Sequence, residues 1–309
     1  MATQPLPSLK TARRPRFFMR WYSWLLLVAA AAYGLAFAMH WDDRGLLWLS
    51  EHFQSPTQRQ ESIWLPDYRV VIDAKALPGM EKDEASDLAY DPQTKTLFAV
   101  MGKNPFLVEL SLQGDVLRKM PLVGWSNPEG VTAMGNGRLA IVDERQHSLV
   151  IVKVDADTRE LNMANFAKYD LGPSADQNKA FEAVVWDAQN QQMLLGEERP
   201  AALFTWKSAD GQTLTGDKQK LASDELDIRN LSALAIDPRT RHTLVLSADS
   251  HLLLELDEKG EQVSFMTVLG GFNGLKKTIP RAEGVTMDEA GTLYMVSEPN
   301  LFYRFEKQN

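Results

Sequence analysis

Five stretches of this chain repeat one short pattern, and a repeat of this length restricts the fold more than any other feature. They begin at Ser86, Glu129, Glu182, Ser232 and Glu283 and run 86–91, 129–134, 182–187, 232–237 and 283–288. Each opens on a polar residue, continues with a small or short one, and becomes an apolar strand; four of the five end in Asp. Their first residues lie 43, 53, 50 and 51 positions apart, the period of a four-stranded propeller blade. A turn signal follows each pattern, such as Asp91-Pro92, Gly135-Asn136-Gly137 or Asp237-Pro238. Second strands are expected at 97–101, 139–142, 193–195, 243–246 and 293–296, and third strands at 106–110, 149–154, 202–206, 252–256 and 302–305. A more polar fourth strand completes each unit. The last repeat stops after its third strand, and 68–72 forms a spare strand ahead of the first. Pairing the two closes a ring and hides both sheet edges. The expected fold is therefore all-β, a propeller of five four-stranded blades closed by an N-terminal strand. Six blades are the alternative if the 53-residue repeat is split.

The region before the repeats has a different character. Residues 22–39 contain no charged side chain. At 1.5 Å per residue they cover about 27 Å, close to a hydrocarbon core of about 30 Å. Trp21, Tyr22, Trp24 and Trp41 stand near the ends of the run, where amphipathic rings favour the membrane interface. Lys10, Arg13, Arg14, Arg16 and Arg20 precede it with no acidic residue among them, which keeps the N-terminus cytoplasmic and translocates the rest. The expected organisation is a basic tail over 1–20, a transmembrane helix over 21–41, a linker over 42–66 with a short amphipathic helix at 44–53, and the propeller over 67–309. That describes a single-pass protein of a bacterial inner membrane with a periplasmic domain. Two competing readings are a cleaved signal peptide ending at Ala36-Phe37-Ala38 and a twin-arginine signal at Arg13-Arg14.

Composition excludes several activities. The chain is −8 overall despite its five N-terminal cations, so the body is acidic and lacks the basic footprint of a nucleic-acid binder. There is no cysteine, hence no disulfide or thiolate chemistry. The histidines His40, His52, His147, His242 and His251 form no H-x-x-x-H or H-E-x-x-H pair, which argues against zinc. No G-x-S-x-G elbow, P-loop or G-x-G-x-x-G is present.

In a propeller the first strand of each blade lines the channel. The five leading residues Ser86, Glu129, Glu182, Ser232 and Glu283 then form a ring. Three carboxylates on one axis repel unless protonated or matched by a cation. Calcium fits such a set, taking 6–8 oxygen ligands in irregular geometry. The second strands return to the same face, at Lys103-Asn104, Glu144-Arg145, Glu198-Arg199, Asp249-Ser250 and Glu298-Pro299-Asn300. Candidate ligand-binding residues are Glu144, Arg145, Glu198, Arg199, Asp249, Glu298 and Asn300; the two arginines could pair with the ring or hold an anionic group. The competing reading has Arg145, Arg199 and Lys103 simply neutralising the glutamates.

One resemblance stands beside this. Ala282-Glu283-Gly284-Val285-Thr286-Met287-Asp288, then Tyr294-Met295-Val296-Ser297-Glu298-Pro299-Asn300 and Phe302-Tyr303-Arg304-Phe305, resemble the SdiA-regulated family, as do Asp143-Glu144-Arg145 and Phe181-Glu182. The resemblance covers roughly 66–309 and implies a propeller on a bacterial membrane segment; the family name records regulation in one relative and names no activity. Two functions are consistent with these residues. The first is a binding module taking a small molecule or an envelope protein at its mouth. The second is a calcium-dependent hydrolase, like esterase, lactonase or phytase propellers, with Glu129, Glu182 and Glu283 on the ion and Glu144 or Glu198 as general base.

Overall fold

The computed structural model describes residues 21–38, 41–172, 181–221, 226 and 228–308. The basic tail 1–20 and His40 lie outside the described residues. The chain divides into two compact units, Met1–Leu46 and Leu47–Asn309. In the first, α1 (Trp21–Ala38) is an 18-residue helix whose large apolar side chains are mostly exposed. Among the described residues no helix is long and apolar enough to cross a membrane. Next come α2 (Trp41–His52) and the short α3 (Pro56–Glu61), which Ser55 and Gln58 start with a reciprocal capping box.

The second unit holds five antiparallel sheets, one per repeat. A nine-residue strand, β1 (Tyr68–Ala76), precedes them. Blade I contains β2 (Ala85–Asp91), β3 (Thr96–Met101), β4 (Phe106–Leu110) and β5 (Val116–Val123). Blade II contains β6 (Pro128–Gly135), β7 (Arg138–Asp143) and β8 (Ser148–Lys153); after the two-residue β9 (Leu161–Asn162) it ends with β10 (Ala167–Asp170). Blade III contains β11 (Phe181–Asp187), β12 (Gln192–Glu197), β13 (Ala202–Lys207) and β14 (Gln219–Lys220). Blade IV contains β15 (Ala233–Ile236), β16 (Thr243–Ser247), β17 (Leu252–Leu256) and β18 (Gln262–Thr267). Blade V contains β19 (Ala282–Met287), β20 (Leu293–Ser297) and β21 (Leu301–Lys307), with β1 antiparallel to β21 at its outer edge. The inner strands pack in order, β2 on β6, then β11, β15 and β19, and β19 returns to β2. The fold is a five-bladed β-propeller. The long second repeat needs no sixth blade: its extra residues carry β9 across to blade I, where it pairs parallel with β5.

Alternation explains why each strand suits this fold. Leu97, Ala99 and Met101 of β3 enter a core shared with blade V, while Phe98 and Val100 enter one shared with blade II. In β20, Leu293 and Met295 face blade IV, and Tyr294 and Val296 face blade I. The inner strands of each sheet are buried on both faces and run largely apolar, whereas outermost strands such as β10 and β14 are exposed, and five core clusters fill the five gaps between neighbouring blades. Each buried Leu, Val or Ile contributes roughly 1.5–3 kcal/mol. Side chains also join the inner strands. Val131 N–H donates to Asp87 (2.8 Å), Trp186 N–H to Thr132 (2.9 Å) and Tyr90 N–H to Thr286 (3.1 Å). The small second residue of the pattern follows from this close approach: a Cβ on Gly130 would meet the Glu182 carbonyl oxygen at 2.3 Å, and one on Gly284 the Asp87 backbone at 2.8 Å.

Residues 47–66, which the sequence suggests as a linker, pack against the propeller. Leu47 enters the core between blades III and IV, and Phe265 N–H donates to Glu51 (2.8 Å). Ile63 and Leu65 are buried beside blades IV and V. The wholly buried Glu255 carboxylate accepts from Ile63 N–H (2.7 Å), Trp64 N–H (3.0 Å), the Ser264 hydroxyl (2.5 Å) and the His242 ring (2.6 Å). A buried carboxylate with four donors is a strong acceptor for an incoming chain.

Candidate functional site

The ring positions owe their geometry to a repeated irregularity. Pairing of β2 with β3 jumps from Ala85 to Asp87, of β6 with β7 from Pro128 to Gly130, of β11 with β12 from Phe181 to Ala183, and of β19 with β20 from Ala282 to Gly284. The residue passed over is Ser86, Glu129, Glu182 or Glu283. Four of the five ring residues therefore occupy β-bulges, which leave a residue out of the ladder and re-aim its side chain. Ser232 differs, standing just ahead of β15 with its N–H on the Leu246 carbonyl (2.9 Å).

The five are brought into electrostatic and hydrogen-bonding reach of one another. The Ser86 hydroxyl works to hold Glu129 down, and the Ser232 hydroxyl does the same for Glu283. A Cβ on Gly102 would lie 2.8 Å from Ser86 Oγ, 3.1 Å from Glu129 Oε1 and 3.2 Å from Asn127 Oδ1, so three oxygens gather over that glycine. Burial pushes Glu129 up to about 8, reinforced by the charges of Glu144, Glu283 and Glu298. Burial and the charges of Glu198, Glu129, Glu144 and Glu283 push Glu182 up to about 10. Glu283 rises to about 7: burial raises it, while the Ser232 hydroxyl and Arg281 hold it back. At neutral pH two of the three carboxyls carry a proton. Such a ring can donate and accept hydrogen bonds, or release protons to a cation. Among the described residues, no group of three or more His, Asp or Glu side chains is placed to hold one metal ion.

The rim carries both charges, in pairings the sequence does not reveal. Arg199 contacts Glu198 (3.2 Å) and Asp249, both of the rim. Arg281 is the cation of the ring, 3.2 Å from Glu283 and 3.1 Å from Glu298. Arg145 is exposed and has no ion pair among the described residues. Lys103 pairs with Glu84 (2.7 Å), and Glu144 accepts from Asn127 Nδ2 (2.9 Å). Asn300 does not belong to the rim: its side-chain amide is buried and donates to the Leu77 carbonyl (2.7 Å), fixing the segment after β1. Sequence reasoning missed Asn127, Asn230 and Arg281, all in segments entering an inner strand. Asn230 donates to Ser232 Oγ (3.0 Å) and accepts from Ser247 Oγ (2.8 Å) and Asp249 N–H (3.0 Å). Their signal was available: a polar residue two positions before the repeat shares its face with the ring. It also missed Asp87, raised well above the carboxylate range by burial despite its backbone donors.

Cavities also lie away from the ring. One of about 640 Å³ sits between blades III and IV, bordered by Leu194, Leu203, Arg241 and Leu254. Another, of about 260 Å³, occupies the opposite end of the channel, among Tyr90, Ala133, Trp186, Ile236 and Met287. Neither is lined by a ring residue.

Among solved structures, a streptogramin B lyase is 8% identical over 78% of this chain and 98% of its own, with a TM-score of 0.47. A chain of a nidogen–laminin complex is 15% identical over 69% of this chain and 72% of its own, with a TM-score of 0.46. A virginiamycin B lyase from Staphylococcus aureus is 9% identical over 72% and 65%, with a TM-score of 0.40. Likeness at this level transfers no residue role. The family is shown directly: the SdiA-regulated model matches residues 60–306, and the chain belongs to the SdiA-regulated family.

Proposed function

We propose that this protein is a membrane-tethered, periplasmic binding module that takes a cation-bearing ligand at the glutamate end of its channel, calcium being the simplest such cation. The repeated bulge carries this reading: four blades break their ladder at the one position that turns Ser86, Glu129, Glu182 or Glu283 out of the pairing. The raised carboxyls support it, since protons occupy what a cation would take. Among the described residues no three acidic groups stand close enough to enclose an ion, so the Ser86 and Ser232 hydroxyls and water would complete the 6–8 ligands calcium prefers. The rim residues Glu144, Glu198, Asp249 and Glu298, with Arg145 and Arg199, would meet the rest of a small molecule or an envelope protein.

The tether is α1. Its apolar side chains are exposed, and five cations precede it. Its 18 residues span about 27 Å, a shortfall a bilayer absorbs by local thinning and by snorkelling of flanking residues. Calcium titration of the detergent-solubilised full chain by calorimetry tests the ring. The expected result is a binding heat that varies with buffer ionisation enthalpy, because bound calcium displaces protons, and a melting temperature raised by calcium and restored by chelator. No heat and no shift with chelator removes calcium from the reading.

A further inference from the structure

We propose that the outward face of α2 rests in the headgroup layer of the bilayer, so that the propeller lies against the membrane with its blade III–IV edge toward the lipid. This rests on the tether proposed above. Helix α2 has two faces. Leu47 and Glu51, four apart, are buried against the propeller, Leu47 in the blade III–IV core and Glu51 on Phe265 N–H. That attachment turns the neighbouring stripe outward. Trp48 is 55% exposed, Leu49 47% and, one residue past the helix, Phe53 81%. The Trp48 ring packs at a tilt against His52, with ring centroids 3.9 Å apart. Three large apolar side chains within six residues form a patch. The other exposed large apolar residues described in the same unit, Val71, Leu117, Val123, Leu221 and Phe272, stand singly along the sequence.

Two observations identify lipid as the occupant. The stripe begins ten residues after α1 ends, so a bilayer holding α1 is within reach of it. The patch also has only three large apolar side chains, against the roughly 20–30 residues that a stable protein interface engages on each side. An interfacial helix needs only a few aromatic and aliphatic side chains sunk about 5–10 Å into the headgroup boundary, and the tether supplies the effective concentration. Trp48 and Phe53 suit that layer.

The absence of cysteine makes the test direct. Full-length Phe53→Cys, with Leu49→Cys on the same face as a second reporter should the first fail to fold, is labelled with an environment-sensitive dye. Leu117→Cys, on blade I, is the control. Each is reconstituted into phosphatidylethanolamine/phosphatidylglycerol vesicles, with spin-labelled lipid at headgroup or mid-chain depth. The proposal expects blue-shifted emission at 53 or 49, quenched more by the headgroup label than by the mid-chain label, and water-like emission at 117. Protein that floats with the vesicles while 53 and 49 stay water-like overturns the α2 contact and leaves the tether standing. Protein that does not float overturns both. Shielding of 53 that grows with protein-to-lipid ratio and ignores the quenchers overturns it in favour of a second copy.

Discussion

Carboxylates stand at both ends of the inner strands, and the fold surrounds the two sets differently. At the outer end Asp91, Asp187, Asp237 and Asp288 receive backbone N–H groups from the turns they open: Gln93 at 2.9 Å, Gln189 and Asn190 at 3.2 Å, Arg239 at 3.1 Å and Thr292 at 2.8 Å. Asp187 also holds Arg241, and these donors keep it below the usual carboxylate range although burial works the other way. At the ring end Glu129, Glu182 and Glu283 are lifted by burial and by one another. Recurrence is equally strong at both ends, so recurrence alone does not identify a site. What separates them is whether the fold supplies each oxygen with a donor.

The contrast breaks most visibly at the ring. Each ring carboxyl has a folded pKa above its ordinary value near 4.5, so the native state holds protons the unfolded chain has released. Their contribution is full below about pH 4.5 and fades as the pH rises through about 7 for Glu283, about 8 for Glu129 and about 10 for Glu182. Cation-free protein should therefore lose stability between about pH 5 and pH 9. The triple variant Glu129→Gln, Glu182→Gln, Glu283→Gln should lose that slope and exceed the parent near pH 8 by on the order of 2 kcal/mol or more. Urea melts at several pH values check this; a parent whose midpoint ignores pH refutes it.

The outer end should show the opposite slope. Asp187 has a lowered folded pKa, so its contribution is present above the ordinary value near 3.8 and lost as the pH falls through the folded one. Asp187→Asn should cost about 1–3 kcal/mol at neutral pH, because Arg241 and the turn amides lose a charged acceptor. Parent and variant should converge in acid. Equal destabilisation at every pH would mean that shape, rather than charge, is what Asp187 supplies.

Much of this was legible because propeller strands are buried on both faces. Alternating contributions to two cores leave continuous apolar runs such as Thr96–Met101 and Leu293–Ser297, readable without knowing any partner. Levelling the five leading residues in one ring needed only the repeat. The bulges were invisible, since a ladder break depends on the register of the neighbouring strand. The ring's arginine was misplaced for a related reason. Arg145 and Arg199 follow second strands as the pattern suggests, but the loop leading into β19 puts Arg281 on Glu283. The packed segment after Leu47 was read as linker because its acceptor, Glu255, lies 192 positions from Ile63.

The finest test separates Glu283 from its ring partners. Arg281 is 69% exposed, so its pairs with Glu283 and Glu298 should add only about 0–1 kcal/mol to stability. Its electrostatic role should be easier to see. It is a cation holding Glu283 down, and no arginine is among the main influences on Glu182, the highest of the three. Arg281→Gln should leave the melting temperature nearly unchanged and move the Glu283 titration upward, toward that of Glu182, as read by carboxyl carbon NMR. Glu129 should follow by less, because Glu283 would then carry less charge against it. A Glu283 titration that stays in place would mean that depth of burial, and not the guanidinium, sets the order of the ring.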